Sequence, residues 1–470
     1  MRSDKARLGT LFVTSGWFRD VGLQPAQSDT TNRINRIAKR IVDKLAGEID
    51  IIHSGVIFSE QDAEIAAAKL ANQNIDGVLL VPLMWCEDQI VRACLKRIPN
   101  IPIILWTFTP TSALPEYLEF QTMLQGSGAV CTLQLSGMLK REEWSYVSVA
   151  GSLEDDGVVS KIGSVAAALR IRRTLSELKV GVLPFPCSQM STTYVDEFGL
   201  RTRYGIELEY IELEKVRSYA MAADETELNE FRRECIPADH RINIDGKNLE
   251  QGIRYALATE RVVKEHGLSV LAMNDVIDEM HTAFGLRPSL TNPRLGLNNV
   301  FVSMEADIAA GVCMFILAKL AKCQAFYTEV FGIDYEKNSL LLGHAGYHDW
   351  CNADPTIPVQ IVPDVEYENS DAFTGCVTYF KYREGPVTVV NSVWDGSRLK
   401  WYGFEGESLP GPHKMASNCH LFCRTNPDIR SLISDAIMDG VSQHWTVIPG
   451  HVLSQVGVAC GMLDIGFTKA

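Results

Sequence analysis

The sequence predicts an α/β protein with two doubly wound parallel-sheet domains, of the flavodoxin or Rossmann type, followed by a C-terminal β-rich, barrel-like domain. Apolar strand-like runs alternate with amphipathic helical segments over residues 8–178, and the alternation starts again at residue 179. From about residue 326 the segments become short, rich in β-forming residues and separated by turns. The predicted domains are therefore residues 1–178, 179–325 and 326–470.

The first predicted domain begins with the continuous apolar run 8–14, which is typical of a strand covered on both faces. Four more strands are predicted at 49–53, 77–82, 101–107 and 146–151, with helices at 30–45, 61–73, 88–97, 114–139 and 160–178. This β-α-β order predicts parallel strands with right-handed crossovers. Because no G-x-G-x-x-G turn follows the first strand, we predict no nucleotide cofactor.

The second predicted domain repeats this alternation from the strand 179–184 onward. Its other predicted strands are 207–211, 268–273 and 300–304, and its helices are 195–204, 225–234, 249–266, 276–284 and 306–322. Asn274 and Asp275 close one of these strands, and we interpret them as caps of the helix that follows. In the third domain we predict strands at 357–362, 376–383, 385–394, 400–405 and 445–449, and helices at 431–440 and 453–462.

Composition narrows the class of protein. The chain has 470 residues, of which 46% are hydrophobic and 22% charged, as in ordinary globular proteins. A net charge of −14 argues against nucleic acid or an anionic membrane as a partner. The start of the chain does not resemble a signal peptide, and the 12 scattered cysteines are read as reduced thiols, which together predict a cytoplasmic protein. A zinc site at Cys419, His420 and Cys423 is an alternative use of two of these thiols.

Two glutamates and a histidine each follow an apolar run. These are Glu305 after 299–304, Glu329 after 325–328 and His344 after 340–343. Carboxylate and imidazole groups at a sheet edge suit a divalent cation of the Mn, Co or Mg kind. The separations of 24 and 15 residues match no fixed-offset metal motif, so a helix N-terminal acid, a loop acid and a core histidine are the structural alternatives.

The order of these segments resembles the L-arabinose isomerase and L-fucose isomerase superfamily. Four short matches carry the resemblance: Met304-Glu305-Ala306-Asp307, Phe326-Tyr327-Thr328-Glu329, Leu342-Gly343-His344 and Gln443-His444-Trp445-Thr446. The tail GHVLSQVGVACGMLDIGF after the last match is also similar to that family. The chain departs from the family pattern at Val330, at Trp445 and in lacking the serine of the Gly-Ser-His loop.

The resemblance implies a metal-dependent aldose–ketose isomerase acting on an open-chain sugar. It implies that Glu305, Glu329, His344 and His444 bind a divalent metal, with Mn favoured and Co or Mg as alternatives. It also makes the two glutamates the acid–base pair, with Glu329 as the principal base or with the roles reversed. An enediol route is implied, and a hydride shift is the alternative.

Three residues are predicted substrate contacts. The resemblance implies that Trp17, after the first strand, reaches a neighbouring subunit's active site, in a homo-oligomer (trimer or hexamer) whose sites lie at subunit interfaces. Met190 lies in the equivalent loop after the strand 179–184. His348 follows His344 and would orient a ligand or a sugar hydroxyl, with a surface-loop histidine as the alternative.

The leading functional hypothesis is therefore an isomerase of an unphosphorylated aldose. An isomerase of a sulfo- or phospho-sugar is one alternative, and a non-catalytic sugar-binding or regulatory protein on the same scaffold is another. A hydrolase with Glu305 and Glu329 as its acid–base pair is a third. The predicted partner is in each case a small sugar.

Overall fold

The computed structural model describes residues 5–20, 30–98, 101–366, 375–416 and 418–470. The chain divides into two compact units, residues 1–173 and 174–470. Each unit contains a parallel sheet with helices, and the second also contains a large, mainly antiparallel sheet. This confirms the predicted fold class, while the finer division into three domains stays a prediction. Within the described residues, no helix is both long and apolar enough to cross a membrane.

The first unit is built on a parallel sheet with the strand order β2-β1-β4-β5-β6, and β3 also pairs with β1. The strands are β1 (Arg7–Val13), β2 (Asp50–Ile52), β3 (Val56–Ile57), β4 (Gly77–Pro82), β5 (Ile103–Thr109) and β6 (Tyr146–Ser152). The helices are α1 (Trp17–Asp20), α2 (Thr30–Leu45), α3 (Glu60–Ala71), α4 (Asp88–Leu95), α5 (Phe120–Gly126), α6 (Gly128–Arg141) and α7 (Asp156–Leu175). Every residue of β4 is buried, as expected of a central parallel strand.

The single helix predicted over residues 114–139 is wrong in its extent, because two helices, α5 and α6, occupy this region. They break at Ser127, whose hydroxyl donates to the carbonyl of Leu124 and accepts a 3.0 Å hydrogen bond from the N–H of Trp85. A serine that bonds local backbone groups competes with the regular helix.

The second unit opens with another parallel sheet, in the order β11-β10-β7-β8. Its strands are β7 (Lys179–Leu183), β8 (Glu207–Tyr210), β10 (Val270–Met273) and β11 (Phe301–Met304), while β9 (Arg241–Ile242) belongs to a separate small sheet. The helices are α8 (Glu197–Tyr204), α9 (Leu213–Ala222), α10 (Glu225–Cys235), α11 (Gly246–His266), α12 (Asp278–Phe284), α13 (Pro293–Leu297) and α14 (Ile308–Ala321). Helices α9 and α13 were not predicted.

Six of the remaining strands of the second unit form a closed barrel. The remaining strands are β12 (Phe326–Asp334), β13 (Ser339–His344), β14 (Gln360–Val362), β15 (Val377–Tyr379), β16 (Gly385–Trp394), β17 (Leu399–Ser408), β18 (Cys419–Thr425), β19 (Trp445–Pro449) and β20 (Gly466–Lys469), with helices α15 (Ile429–Asp439) and α16 (Leu453–Leu463). Antiparallel pairing runs β16-β19-β12-β13-β18-β17 and returns from β17 to β16, so these six strands form a ring. Strand β20 extends the sheet beside β17, and β14 and β15 complete the small sheet with β9.

Strand β13 has a tight approach at Gly343, where a side chain is excluded. A Cβ atom built there would lie 2.6 Å from the Sδ of Met415 and 2.9 Å from the carbonyl oxygen of Cys419. The absence of a side chain therefore lets the segment before β18 cross β13 next to His344.

Candidate metal centre

Glu305, Glu329, His344 and His444 lie together, each with one ligand atom within 4.8 Å of the others. Strand order explains three of them, because β12 pairs with β13 on one side and with β19 on the other. Glu329 lies opposite Gly343, which precedes His344, and Thr328 lies opposite Trp445, which follows His444. The three side chains therefore meet at the same level of the barrel.

Glu305 comes from a different element, the turn between β11 and α14. Glu305 and Ala306 both have left-handed backbone conformations, with φ of 58° and 53°, which are unfavourable for non-glycine residues. Backbone hydrogen bonds hold this turn: the N–H of Glu305 donates to Asp275 Oδ1 at 2.9 Å and the N–H of Ala306 donates to the Met273 carbonyl at 2.9 Å. The turn directs the Glu305 carboxylate towards the barrel histidines.

The outer nitrogens of the two histidines are occupied by protein acceptors. Nδ1 of His444 lies 2.7 Å from Asp307 Oδ2, and Nδ1 of His344 contacts the carbonyl of Ala345. A carboxylate or a carbonyl accepts only, so both imidazoles donate from Nδ1 and, when neutral, keep a lone pair on Nε2. Such partners set the tautomer and orientation of metal-binding histidines.

Acceptor atoms converge at the centre of the cluster. Nε2 of His344 lies 3.5 Å from Glu305 Oε1 and 3.9 Å from Glu329 Oε2, and Nε2 of His444 lies 3.6 Å from Glu329 Oε1 and contacts Glu305 Oε2. Both Nε2 atoms and Glu305 Oε2 are buried and lack a hydrogen-bond partner among the described residues. Lone pairs that face one another in a buried site need a cation between them, and this donor set fits a divalent metal.

The electrostatics of the cluster point the same way. Burial opposes the charged imidazolium, but the neighbouring carboxylates of Asp307 and Glu305 prevail and raise the pKa of His444 to about 10. Burial likewise favours the neutral form of Glu305, but His344 and His444 hold its pKa well below the usual range. Burial raises the pKa of Glu329. Positive charge is thus strongly favoured here, as a proton or as a bound cation.

The structure places Met190 and His348 around this cluster. Met190 Sδ accepts a 3.0 Å hydrogen bond from Gln443, the residue before His444. His348 is 3% exposed, its Nε2 lies 3.0 Å from the carbonyl of His344, and its ring packs on Phe326. The surface-loop alternative for His348 is therefore wrong, because the residue supports the backbone of His344 from the interior. Substrate contact by either residue stays a prediction.

Trp17 belongs to the first unit, where it opens α1 after β1. Its side chain is 54% exposed and packs edge-on against Phe18. Its predicted contact with a neighbouring subunit's site stays a prediction.

The residues that surround Glu305 were only partly predicted. Asp275 is not a cap, because α12 begins after Ile277 and Asp275 instead bonds Glu305 and the buried Arg287. The sequence marks Asp307 only as part of the matched segment 304–307 and does not predict its hydrogen bond with His444. The matched segment 304–307 was the sequence signal that could have identified Asp307. No local sequence pattern marks a buried arginine such as Arg287.

The zinc site considered for Cys419, His420 and Cys423 is wrong. Nδ1 of His420 lies 2.8 Å from the carbonyl of Asn418, and its Nε2 accepts a 2.8 Å hydrogen bond from the N–H of Lys414. Both ring nitrogens are therefore used by backbone groups.

Fold and cluster together define an α/β protein with a candidate carboxylate–histidine metal centre. No known protein-family profile matches the chain. It is similar to proteins named sulfoquinovose isomerase: it is 21% identical over 306 residues to those from Priestia megaterium (strain ATCC 12872 / QMB1551) and Priestia aryabhattai, covering 64% of this chain. It is 22% identical over 374 residues to the one from Clostridium sp. (strain MSTE9), covering 78% of this chain and 80% of that protein. The match spans 66% of the Priestia proteins, just under two thirds of their length.

Proposed function

We propose that this protein is a metal-dependent aldose–ketose isomerase. The observation that carries the proposal is the convergence of ligand atoms from Glu305, Glu329, His344 and His444, of which all but those of Glu329 belong to buried residues. The names of three similar proteins support an isomerase of a sugar, independently of the cluster. A binding protein would not require two carboxylates and two oriented imidazoles around one point.

We propose a sulfonated hexose as the first substrate class to examine. The similar proteins are named for sulfoquinovose, a hexose that carries a sulfonate on C6. Among the alternatives drawn from the sequence, these names favour a modified sugar over an unmodified aldose. Unmodified pentoses and hexoses are the comparison set, since identities of 21–22% leave the sugar's functional groups to be determined.

We assign different chemical roles to the two glutamates because their side chains differ in exposure. A divalent cation held by them would polarise the carbonyl and hydroxyl oxygens of the sugar and so acidify its C–H bond. The Glu329 side chain is 26% exposed and the Glu305 side chain 9%, so Glu329 is the one that reaches a sugar bound at the open side. We assign Glu329 as the base that takes the proton from one carbon and returns it to the next. Glu305 acts as a ligand and as its acid–base partner.

The test is an isomerase assay on protein stripped of metal with a chelator. Ketose formation from sulfoquinovose and from unmodified aldoses is measured with and without Mn²⁺, in the wild type, Glu305→Gln and Glu329→Gln. We expect turnover that requires Mn²⁺, with rates about 10²–10⁴-fold lower in Glu329→Gln, as is typical for loss of a general base. The matched control is Glu336→Gln, an exposed glutamate in the turn after β12, which should retain wild-type activity.

Two outcomes would contradict the proposal. Metal-independent turnover would remove the cluster from the mechanism. Tight sugar binding without turnover on any sugar would favour a sugar-binding protein instead.

A further inference from the structure

We propose that Asp275 and Arg287 form a positioning pair that holds Glu305 in its metal-binding conformation. The inference rests on the proposed function, since it concerns a ligand of that same site. Neither residue faces the centre of the cluster with a ligand atom. Asp275 acts through the backbone N–H of Glu305, and Arg287 acts through Asp275.

Asp275 lies beside Glu305 because of strand register. Strands β10 and β11 are parallel neighbours, with Met273 opposite Met304, so the residues that follow them leave the sheet at the same edge. Asp275 is fully buried, and its Oδ1 accepts the 2.9 Å hydrogen bond from the N–H of Glu305. A charged acceptor makes a stronger bond than a neutral one and so stabilises this strained turn.

Arg287 fixes the other oxygen of Asp275. It lies in the loop 286–292, in which every residue is buried, and its Nη1 donates to Asp275 Oδ2 at 3.1 Å. Its Nε and Nη2 donate to the two oxygens of Asp364 at 2.8 Å and 3.0 Å, and Nη2 also contacts Glu366. The two-pronged bond to Asp364 sets the plane of the guanidinium, so the N–H groups of Nη1 have fixed directions, one of them towards Asp275 Oδ2.

The charges explain why this pair affects the ligand and not only the fold. Asp275, Glu305 and Asp307 are three buried carboxylates within one turn of chain and its neighbouring strand end. Loss of Arg287 would remove the guanidinium that donates to Asp275 Oδ2, directly beside Glu305. Without that donor the Asp275 side chain is no longer held with Oδ1 towards Glu305, so the acceptor for the Glu305 N–H is displaced.

The test measures Mn²⁺ affinity in variants of the full-length protein. Asp275→Asn keeps the side-chain shape but places a donor against a donor at either Glu305 or Arg287. Arg287→Lys keeps the positive charge but loses the two-pronged bond to Asp364. We expect each to weaken Mn²⁺ binding about 10- to 100-fold, the range for loss of a residue that orients a metal ligand. Free Mn²⁺ is followed by electron paramagnetic resonance, and the Tm is recorded with and without Mn²⁺.

The matched control is Asp354→Asn. Asp354 is also a buried aspartate, and it pairs with the buried Lys381 at 3.2 Å. This substitution should lower the Tm of the metal-free protein but leave the Mn²⁺ affinity within about twofold of the wild type, because the Asp354 side chain bonds to Lys381 and Thr356 rather than to a residue of the cluster. If Arg287→Lys fails to fold, Asp364→Asn replaces it, because this substitution weakens the two-pronged bond to Arg287 while leaving Asp275 intact. We expect it to weaken Mn²⁺ binding in the same direction, but by less.

Wild-type Mn²⁺ affinity in Asp275→Asn together with either Arg287→Lys or Asp364→Asn would overturn the positioning pair and leave the proposed function standing. Mn²⁺ binding by the wild type with no turnover of any sugar would overturn the proposed function, while weaker binding in the variants would still support the pair. Absence of Mn²⁺ binding by the wild type would overturn both.

Discussion

Replacement of Asp307 by Asn should reverse the tautomer of neutral His444, the form that binds a metal. In the wild type, Asp307 Oδ1 accepts from the N–H of Ala310, capping α14, and Oδ2 accepts from His444 Nδ1 at 2.7 Å. An asparagine has one oxygen and one NH₂ group. If the oxygen keeps the helix cap, the NH₂ group faces His444 and the ring proton must move to Nε2, which then no longer offers a lone pair.

The size of the effect follows from the two arrangements open to the variant. Keeping the metal-binding tautomer requires the NH₂ group to face the N–H of Ala310, which gives up a cap worth about 1 kcal/mol and leaves buried donors unpaired at about 1–3 kcal/mol. The two costs add to about 2–4 kcal/mol, so we expect Mn²⁺ to bind about 30- to 900-fold more weakly. Helix capping in the metal-free protein should change little, because Asn and Asp cap helices equally well.

Mn²⁺ titration by electron paramagnetic resonance measures this change directly. The control is Asp428→Asn, at the N-cap of α15, where the carboxylate accepts from the N–H groups of Arg430 and Ser431. It makes the same chemical change at a helix cap away from the cluster and should leave Mn²⁺ binding unchanged. Wild-type Mn²⁺ affinity in Asp307→Asn would refute the assigned tautomer.

Three further predictions concern the same region. The pKa of His444 is raised from 6.5 to about 10 in the metal-free protein, so the stability that its protonation contributes is fully present below pH 6.5 and is lost as the pH rises through about 10. Thermal melts between these pH values should show the Tm falling as the pH rises. The same pH dependence in a His444→Gln protein would contradict this prediction. Mn²⁺ affinity should rise over the same interval, since binding displaces that proton. Gly343→Ala should lower the free energy of unfolding, measured by urea denaturation, by about 1–3 kcal/mol through overpacking. The control is Gly332→Ala, whose Cβ would lie 3.6 Å from its nearest neighbour; it should change the free energy of unfolding by less than about 0.5 kcal/mol. His348→Phe keeps an aromatic ring but removes the hydrogen-bond partner of the His344 carbonyl, so it should lower the free energy of unfolding by about 1–3 kcal/mol and leave KM unchanged. A raised KM with unchanged stability would instead indicate direct contact with the sugar.

Local patterns predicted most of the regular elements. The continuous apolar runs at β1 and β4 and the amphipathic α2 were predicted to within a residue at most of their ends. Helix α14 begins two residues later than predicted, because Glu305 and Ala306 adopt left-handed conformations that no helix accommodates.

The β12–β13 hairpin shows where local patterns were insufficient. For its two strands the sequence predicts only short apolar segments before Glu329 and His344. The reason is that a register shift between Val330 and Gly332 interrupts the period-two alternation of β12. The bulge lies just beyond Glu329. Such an irregularity is stabilised by neighbouring strands, which a single segment does not specify.

By itself the sequence determined the α/β class, the position of the β-rich region and the four side chains that now lie together. Propensity, hydrophobic period and short matched segments are local properties, so they can be read along the chain. Only the tertiary structure decided that β12 lies between β13 and β19, that Asp307 orients His444, and that Asp275 joins Glu305 to Arg287. These relations depend on strand pairing between distant segments and on buried charges finding partners, neither of which has a local signature.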